Sequence, residues 1–251
     1  MRTKFTLLTD SQWQSIEKIL TSKRKRKYCL RSILDGILWL CRTGCQWRNL
    51  SSSFPYWQIV YYYFNKWKRT GLIEKVMLKL VRKERMRQGR NYAPSVAAID
   101  SQSIKKSAFV SKETGIDGGK HGNGRKRHLA VDSLGLPIAI SVSAADVHDS
   151  IGAFDLLWRI NSISRRMKLI RTDKAYRGEF SEVVEKWYKW KIEITQKPPS
   201  VKGFIPQTGR WQVERSFAWL NFFRRLDKDY EKLPGSAVAF IQIAFISILL
   251  K

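Results

Sequence analysis

Apolar residues in this chain change period near residue 93, and that change limits what the chain can fold into. Before it, they recur at three- and four-residue intervals, the spacing of one helix face. Thr9, Asp10 and Ser11 offer caps for a helix through about Leu20. Ile33, Ile37, Leu38 and Cys41 stripe a second helix, Arg31 to Arg42, which Gly44 ends. Trp57, Val60, Tyr61, Phe64 and Trp67 stripe a third that runs to about Thr70, with Lys66 and Arg69 on its solvent side. A fourth covers Leu72–Arg87. After residue 93 short apolar runs take over. Ser95–Ile104, Arg127–Ser133, Pro137–Ala144, Lys168–Thr172 and Ile192–Gln196 read as strands. Ser150–Asn161, Glu179–Trp190 and Gln212–Asp227 read as helices, and Pro234-Gly235 sets off a last apolar one. The Gly- and Lys-rich stretch Gly115–Lys126 reads as a loop.

The order after residue 93 is therefore β-β-β-α-β-α-β-α-α. Three strands on short connections predict an antiparallel meander, and two reached through helices predict parallel additions. The result is a mixed five-stranded sheet flanked by helices, of the α/β and α+β classes, in the order of the ribonuclease H-like fold. An all-α part precedes it, which predicts domains of residues 1–92 and 93–251. The fold alone does not give the chemistry.

Charge narrows the partner. The 251 residues carry 47 Lys and Arg against 21 Asp and Glu, a net of +26, with a pI near 10.3. A polyanion is implied, nucleic acid first and an anionic membrane surface second. Residues 1–92 hold 21 basic against 5 acidic side chains and are the more basic part. With 43% hydrophobic residues and ten Trp, the chain can still bury a core. The apolar stretch Ser236–Leu250 falls short of the roughly 20 residues a spanning helix needs, so it reads as a core helix. Cys29, Cys41 and Cys45 form no CxxC pair and no disulfide framework; they read as structural thiols suited to a reducing cytosol. His121, His128 and His148 lie too far from them in sequence to suggest zinc. His128 and His148 read as structural or DNA-facing rather than as general bases.

Acidic residues are scarce, so their positions are informative. Asp100 lies inside an apolar strand, where a carboxylate is costly without a positive partner. Asp173 ends the fourth strand, where ligands of parallel sheets gather. Glu214 sits in the first turn of a long helix. In a ribonuclease H-like order these three converge. Three hard oxygen donors suit Mg²⁺ or Mn²⁺, and two such ions serve phosphodiester chemistry. Each residue also has a plainer reading: a salt-bridged strand residue, an Asx turn, and a helix-dipole partner.

Longer motifs surround these positions. IDSQSIK (Ile99–Lys105), GRKRHLAVDSLGLP (Gly124–Pro137), TDKAYRG (Thr172–Gly178), RWQVERSFAWL (Arg210–Leu220) and RRLDKDYE (Arg224–Glu231) together resemble the bacterial insertion-sequence transposases of the DDE class, small insertion-sequence-five type. LTDSQWQSIEKIL, ILDGILWLCRTGCQWRNL and FPYWQIVYYYFNKW resemble the same group's N-terminal helical domain. The resemblance implies a catalytic and metal-binding triad of Asp100, Asp173 and Glu214, at intervals of 73 and 41 residues. It implies a transposase that binds terminal inverted repeats, cleaves at the element ends and joins them to target DNA. Double-stranded DNA and, on DNA, a homodimer or higher assembly are the implied partners. Arg210 matches the superfamily's helix Arg and is expected among the DNA contacts, whereas Gln207 and Asn221 stand where relatives carry Tyr and Lys, a departure in how the terminal phosphate is held for which Arg215, Arg224 or Arg225 are the substitutes. Further DNA contacts are expected from Lys23, Arg24, Lys25, Arg26 and Lys27, from the run Arg82–Arg90, and from Lys105, Lys126 and Arg127. Trp211 and Trp219 either pack in the core or touch bases. A catalytically silent DNA-binding protein and a ribonuclease H-like nuclease stay open as alternatives.

Overall fold

A computed structural model describes residues 5–20, 27–119, 121–195 and 210–250. The expected basic contacts Lys23, Arg24, Lys25 and Arg26, and Gln207, lie outside the described residues. The chain forms two compact units. One takes the described residues of Met1–Leu80, Leu220–Asp227 and Ala239–Lys251; the other takes those of Val81–Trp219 and Lys228–Val238. The first unit thus draws on segments far apart in sequence.

The first unit is helical. It contains α1 (Asp10–Leu20), α2 (Leu30–Thr43), α3 (Trp57–Arg69), the first half of α4 (Leu72–Arg87) and most of a C-terminal helix described below. In α2 the residues Ile33, Ile37, Leu40 and Cys41 are buried. The helix ends at Gly44, whose φ of 73° suits glycine and whose N–H bonds to Leu40 O. Val60, Phe64 and Trp67 form the buried face of α3, and Phe64 stacks on Phe240 at 4.8 Å. Burying each such ring stabilises the unit by roughly 1.5–3 kcal/mol. Tyr61, placed on that apolar stripe by its spacing, is instead 43% exposed.

The second unit is built on a mixed sheet. Its strands are β1 (Val96–Lys105), β2 (Gly115–Asp117), β3 (Gly122–Val131), β4 (Pro137–Ala144), β5 (Leu169–Thr172) and β6 (Lys191–Ile194). β3 pairs antiparallel with β1, β2 and β4, whereas β5 pairs parallel with β1 and with β6. This is the ribonuclease H-like arrangement, with β2 added to the five expected strands. β2 and the start of β3 occupy the stretch read as a loop. Gly124 explains the misleading composition: a Cβ there would lie 1.9 Å from Ile104 O, so the glycine permits close strand approach.

The helices of this unit are α5 (Asp149–Gly152), α6 (Phe154–Ile163), α7 (Glu179–Tyr188) and α8 (Trp211–Leu220). Ala97, Ile99, Ala130 and Ile138 of the sheet form one core with Leu156 and Ile160 of α6 and Phe180 and Val184 of α7. α8 ends seven residues before the expected Asp227. Phe223 turns extended (φ −111°, ψ 105°), and a 3₁₀ turn follows at Arg224–Leu226. The last helix, α9 (Pro234–Leu249), begins at the proline. Its missing N–H is no loss in a first turn. Among the described residues, no helix is long and apolar enough to cross a membrane.

Candidate active site

All three carboxylates belong to the second unit, and the sheet brings two of them together. In the parallel pairing of β1 and β5, Ala98 stands opposite Arg171. Two residues further along, the chains reach Asp100 and Asp173. Ile99 is fully buried in the core, and alternation turns its neighbour Asp100 to the other face of the sheet. Asp100 Oδ1 accepts the Ser101 N–H at 2.8 Å. Asp173 follows β5 directly, and its Oδ1 accepts the Ala175 N–H at 2.9 Å. The Asx-turn geometry is thus present, and it uses only one of the two carboxylate oxygens.

Helix α8 supplies the third carboxylate. Its placement is fixed by the turn between β3 and β4. Ser216 Oγ donates to Gly135 O at 2.7 Å, and Arg215 Nη2 donates to Leu134 O at 2.7 Å. Arg210 immediately precedes the helix, and its carbonyl accepts the Val213 N–H at 3.0 Å. Arg210 and Glu214 therefore share one turn.

The guanidinium of Arg210 is where the three acids meet. Nη2 lies 3.2 Å from Asp100 Oδ2 and 3.6 Å from Glu214 Oε1, and Nη1 lies 3.8 Å from Asp173 Oδ2. One positive charge faces three carboxylates. Burial raises the Asp100 carboxyl from 3.8 to about 6, because Arg210 and the Ser101 N–H only partly offset the desolvation and Asp173 adds repulsion. The buried phenol of Tyr176 is pushed well above its ordinary value, first by burial and then by the nearby Asp100, Asp149 and Asp173. Sequence spacing gave no sign that Arg210 sits among the acids rather than beside them. Tyr176 was signalled only as part of the TDKAYRG motif.

This donor set consists of oxygen and carries surplus negative charge, which suits a hard divalent cation. Among the described residues, no three His, Cys, Asp or Glu side chains are gathered closely enough to hold a metal as they stand.

The remaining expected site residues divide by exposure. Lys27, Lys105 and Arg224 are exposed, as are Arg82, Lys83 and Arg90 of the basic run. Arg85 of that run is buried and paired with Asp132. Lys126 pairs with Asp149 at 2.9 Å and donates to Val147 O at 2.8 Å. Arg127 and Arg225 are buried, and Arg225 donates to Cys45 O at 3.1 Å. Arg215 lies between the rings of Trp211 and Trp219, at 4.4 and 4.8 Å. His128 is buried with Nε2 2.8 Å from Ser143 Oγ, and burial lowers its pKa to about 4. His148 caps α5. Cys29, Cys41 and Cys45 carry thiols rather than disulfides, and Cys41 Sγ donates to Phe240 O at 3.7 Å.

A family model described as "Transposase DDE domain" matches residues 91–250. A second, described as "Putative transposase of IS4/5 family", matches residues 8–77. The chain is similar to a protein of Burkholderia cepacia named "Putative transposase for insertion sequence element IS402". They are 28% identical over 128 residues, which is 48% of this chain and 60% of the relative. It is also similar to "Uncharacterized protein y4sN" of Sinorhizobium fredii, 28% identical over 79 residues, which is 30% of this chain and 63% of the relative. The matches span less than two thirds of either relative.

Proposed function

The chain belongs to the DDE-domain transposases, and from that membership we propose that it cleaves the ends of its own insertion sequence and joins them to target DNA. The observation that carries the reading is the meeting of Asp100, Asp173 and Glu214 on one cationic group. Three carboxylates gathered on one guanidinium, one of them largely buried, are locally costly unless they are used.

Asp100, Asp173 and Glu214 are the residues to hold Mg²⁺ or Mn²⁺, as two ions. Bound there, divalent ions make the attacking oxygen more nucleophilic and take up charge on the leaving oxygen. In the first step water attacks the phosphorus at the element's 3′ end. The bond to the 3′ oxygen breaks, leaving a 3′-hydroxyl and a 5′-phosphate on the flank. In the second step that hydroxyl attacks a target phosphodiester in line, forming one P–O bond while the target's 3′ oxygen leaves. Arg210, released from the carboxylates, is placed to pair with the phosphate in both steps. Lys27, Lys105 and Arg224, with the basic segment at residues 23–26 and the exposed Arg82, Lys83 and Arg90, contact the DNA backbone. Residues 1–92 hold the inverted repeats, and two ends are brought together by at least a dimer.

A nicking assay tests this reading. Duplex DNA carrying the sequences that flank the gene is incubated with the full chain, with and without Mg²⁺ or Mn²⁺. Nicking should need the ion and fall by at least about 100-fold in Asp100→Ala, Asp173→Ala or Glu214→Ala. Equal nicking by wild type and variants would reject the site.

A further inference from the structure

Helix α3 has two unlike faces. Its apolar face, Val60, Phe64 and Trp67, is buried. The other presents Gln58, Tyr61, Tyr62 and Arg69 to solvent, with Tyr61 and Tyr62 at 43% and 55% exposure and Tyr56 just before the helix at 75%. Clustered large aromatic residues on a surface mark an interaction site more often than chance exposure.

Charge tells which partner fits. Residues 36–73 contain no Asp or Glu, yet they contain Arg42, Arg48, Lys66, Lys68 and Arg69. Three of these cations lie beside rings of α3: Arg48 is 5.6 Å from the Trp57 ring, Lys66 is 6.0 Å from the Tyr62 and Tyr63 rings, and Lys68 is 5.6 Å from the Phe64 ring. A helix face of tyrosines and cations, within a segment that holds no acid, suits a polyanion that also offers apolar and hydrogen-bonding groups. Nucleic acid bases offer both. A membrane surface suits it less well: the aliphatic and tryptophan face of α3 is already buried, and Gln58 stands within the exposed one.

The dimensions agree with duplex DNA. An α-helix with its side chains is roughly 10–12 Å across, and the major groove is about 12 Å wide. Gln58 and Arg69 are eleven residues apart. At 1.5 Å per residue that is about 17 Å, or about five base-pair steps of 3.4 Å. Gln pairs in bidentate fashion with adenine, tyrosine rings meet thymine methyls, and arginine holds phosphate or guanine.

We propose that the exposed face of α3 enters the major groove at the element ends, with Gln58, Tyr61 and Tyr62 reading bases and Arg69 holding the backbone. This rests on the transposase reading and assigns sequence recognition to one helix face rather than to the basic runs.

Fluorescence anisotropy of the full chain tests it. The probes are a 30-base-pair duplex from the gene's flank, a scrambled duplex of equal composition, and vesicles containing phosphatidylglycerol. Wild type should prefer the flank duplex. The double variant Gln58→Ala/Tyr62→Ala should lose about 10-fold or more of that preference while binding scrambled DNA within about twofold of wild type. Arg69→Ala should weaken both duplexes alike and lower the salt slope by about one. Thermal melts of these surface variants should match wild type; Gln58→Ala alone serves if the double variant does not. A wild-type preference that survives the double variant overturns the assignment to α3 and leaves the transposase reading standing. No preference in wild type sinks end recognition itself. Loss of vesicle binding with DNA binding unchanged assigns the face to membrane and overturns the proposal.

Discussion

Replacing Asp100 by Asn should stabilise the metal-free protein, and the gain should grow with pH. Below pH 3.8 the wild-type carboxyl is protonated in both folded and unfolded chains, so the two proteins have similar stability. As pH rises, the unfolded chain loses its proton first, whereas the folded site holds it to about 6. Stability is therefore lost in wild type as pH rises through that window, and Asn has no proton to lose. Taking 3.8 and about 6 as the two values, the gap is about 1.6 kcal/mol at pH 5 and about 3 kcal/mol at pH 8. Asp100 is largely buried, with 16% of its side chain exposed, so little of this is screened. Urea denaturation followed by tryptophan fluorescence at both pH values, without divalent ions, measures the gap. A variant no more stable than wild type at pH 8, or a gap that shrinks between pH 5 and 8, would refute the reasoning. A carboxylate kept against such a cost is kept for use. Millimolar Mn²⁺ should then stabilise wild type more than the variant, because it binds the folded site alone.

Other perturbations probe what supports the site. Buried Arg125 donates to Asp229 Oδ2 at 2.9 Å and to the carbonyls of Lys112, Glu113, Glu231 and Lys232. Arg125→Met should cost about 3–5 kcal/mol in urea denaturation by leaving Asp229 buried and unpaired, and a loss below about 1 kcal/mol would count against that network. His128 works opposite to Asp100: its neutral form is the folded one, so stability present above pH 6.5 falls by roughly 1.4 kcal/mol per pH unit down to about 4. His128→Gln should flatten that slope. A Cβ on Gly152 would lie 2.3 Å from His128 Nε2, so Gly152→Ala should cost about 1–3 kcal/mol. In a His128→Ala background that cost should largely vanish, and simple additivity would show that the clash is not the cause.

Local signals account for much of the fold. β4 begins at Pro137 after the Gly135 turn, and α4 follows Gly71; both match their expected bounds because punctuation and period agree. Expectation failed where tertiary packing sets the path. Gly124 signals a loop by composition but serves strand contact. The helix expected over Ser150–Asn161 divides at Ala153 into α5 and α6, with Gly152 against the His128 ring. Phe223, Arg225 and Leu226 are all buried, a spacing that α8 does not meet if it continues past Leu220. At the site, the acids stood out because each interrupts apolar or helical context. Arg210 was named through the resemblance, but its pairing with Asp100, a bond that spans 110 residues, was not legible. The exposure of Tyr61 was hidden because tyrosine suits a buried stripe and a binding face equally.

The central claim is that Asp100, Asp173 and Glu214 form one phosphoryl-transfer site that joins DNA as well as cutting it. Strand transfer tests it most directly. A labelled duplex from the gene's flank, with a free 3′-hydroxyl at the element end, is incubated with supercoiled plasmid, Mg²⁺ and the full chain. The account predicts label joined covalently to plasmid by wild type, and none joined by the triple Ala variant. Joining by the triple variant, or hydrolysis by wild type without any joined product, would contradict it.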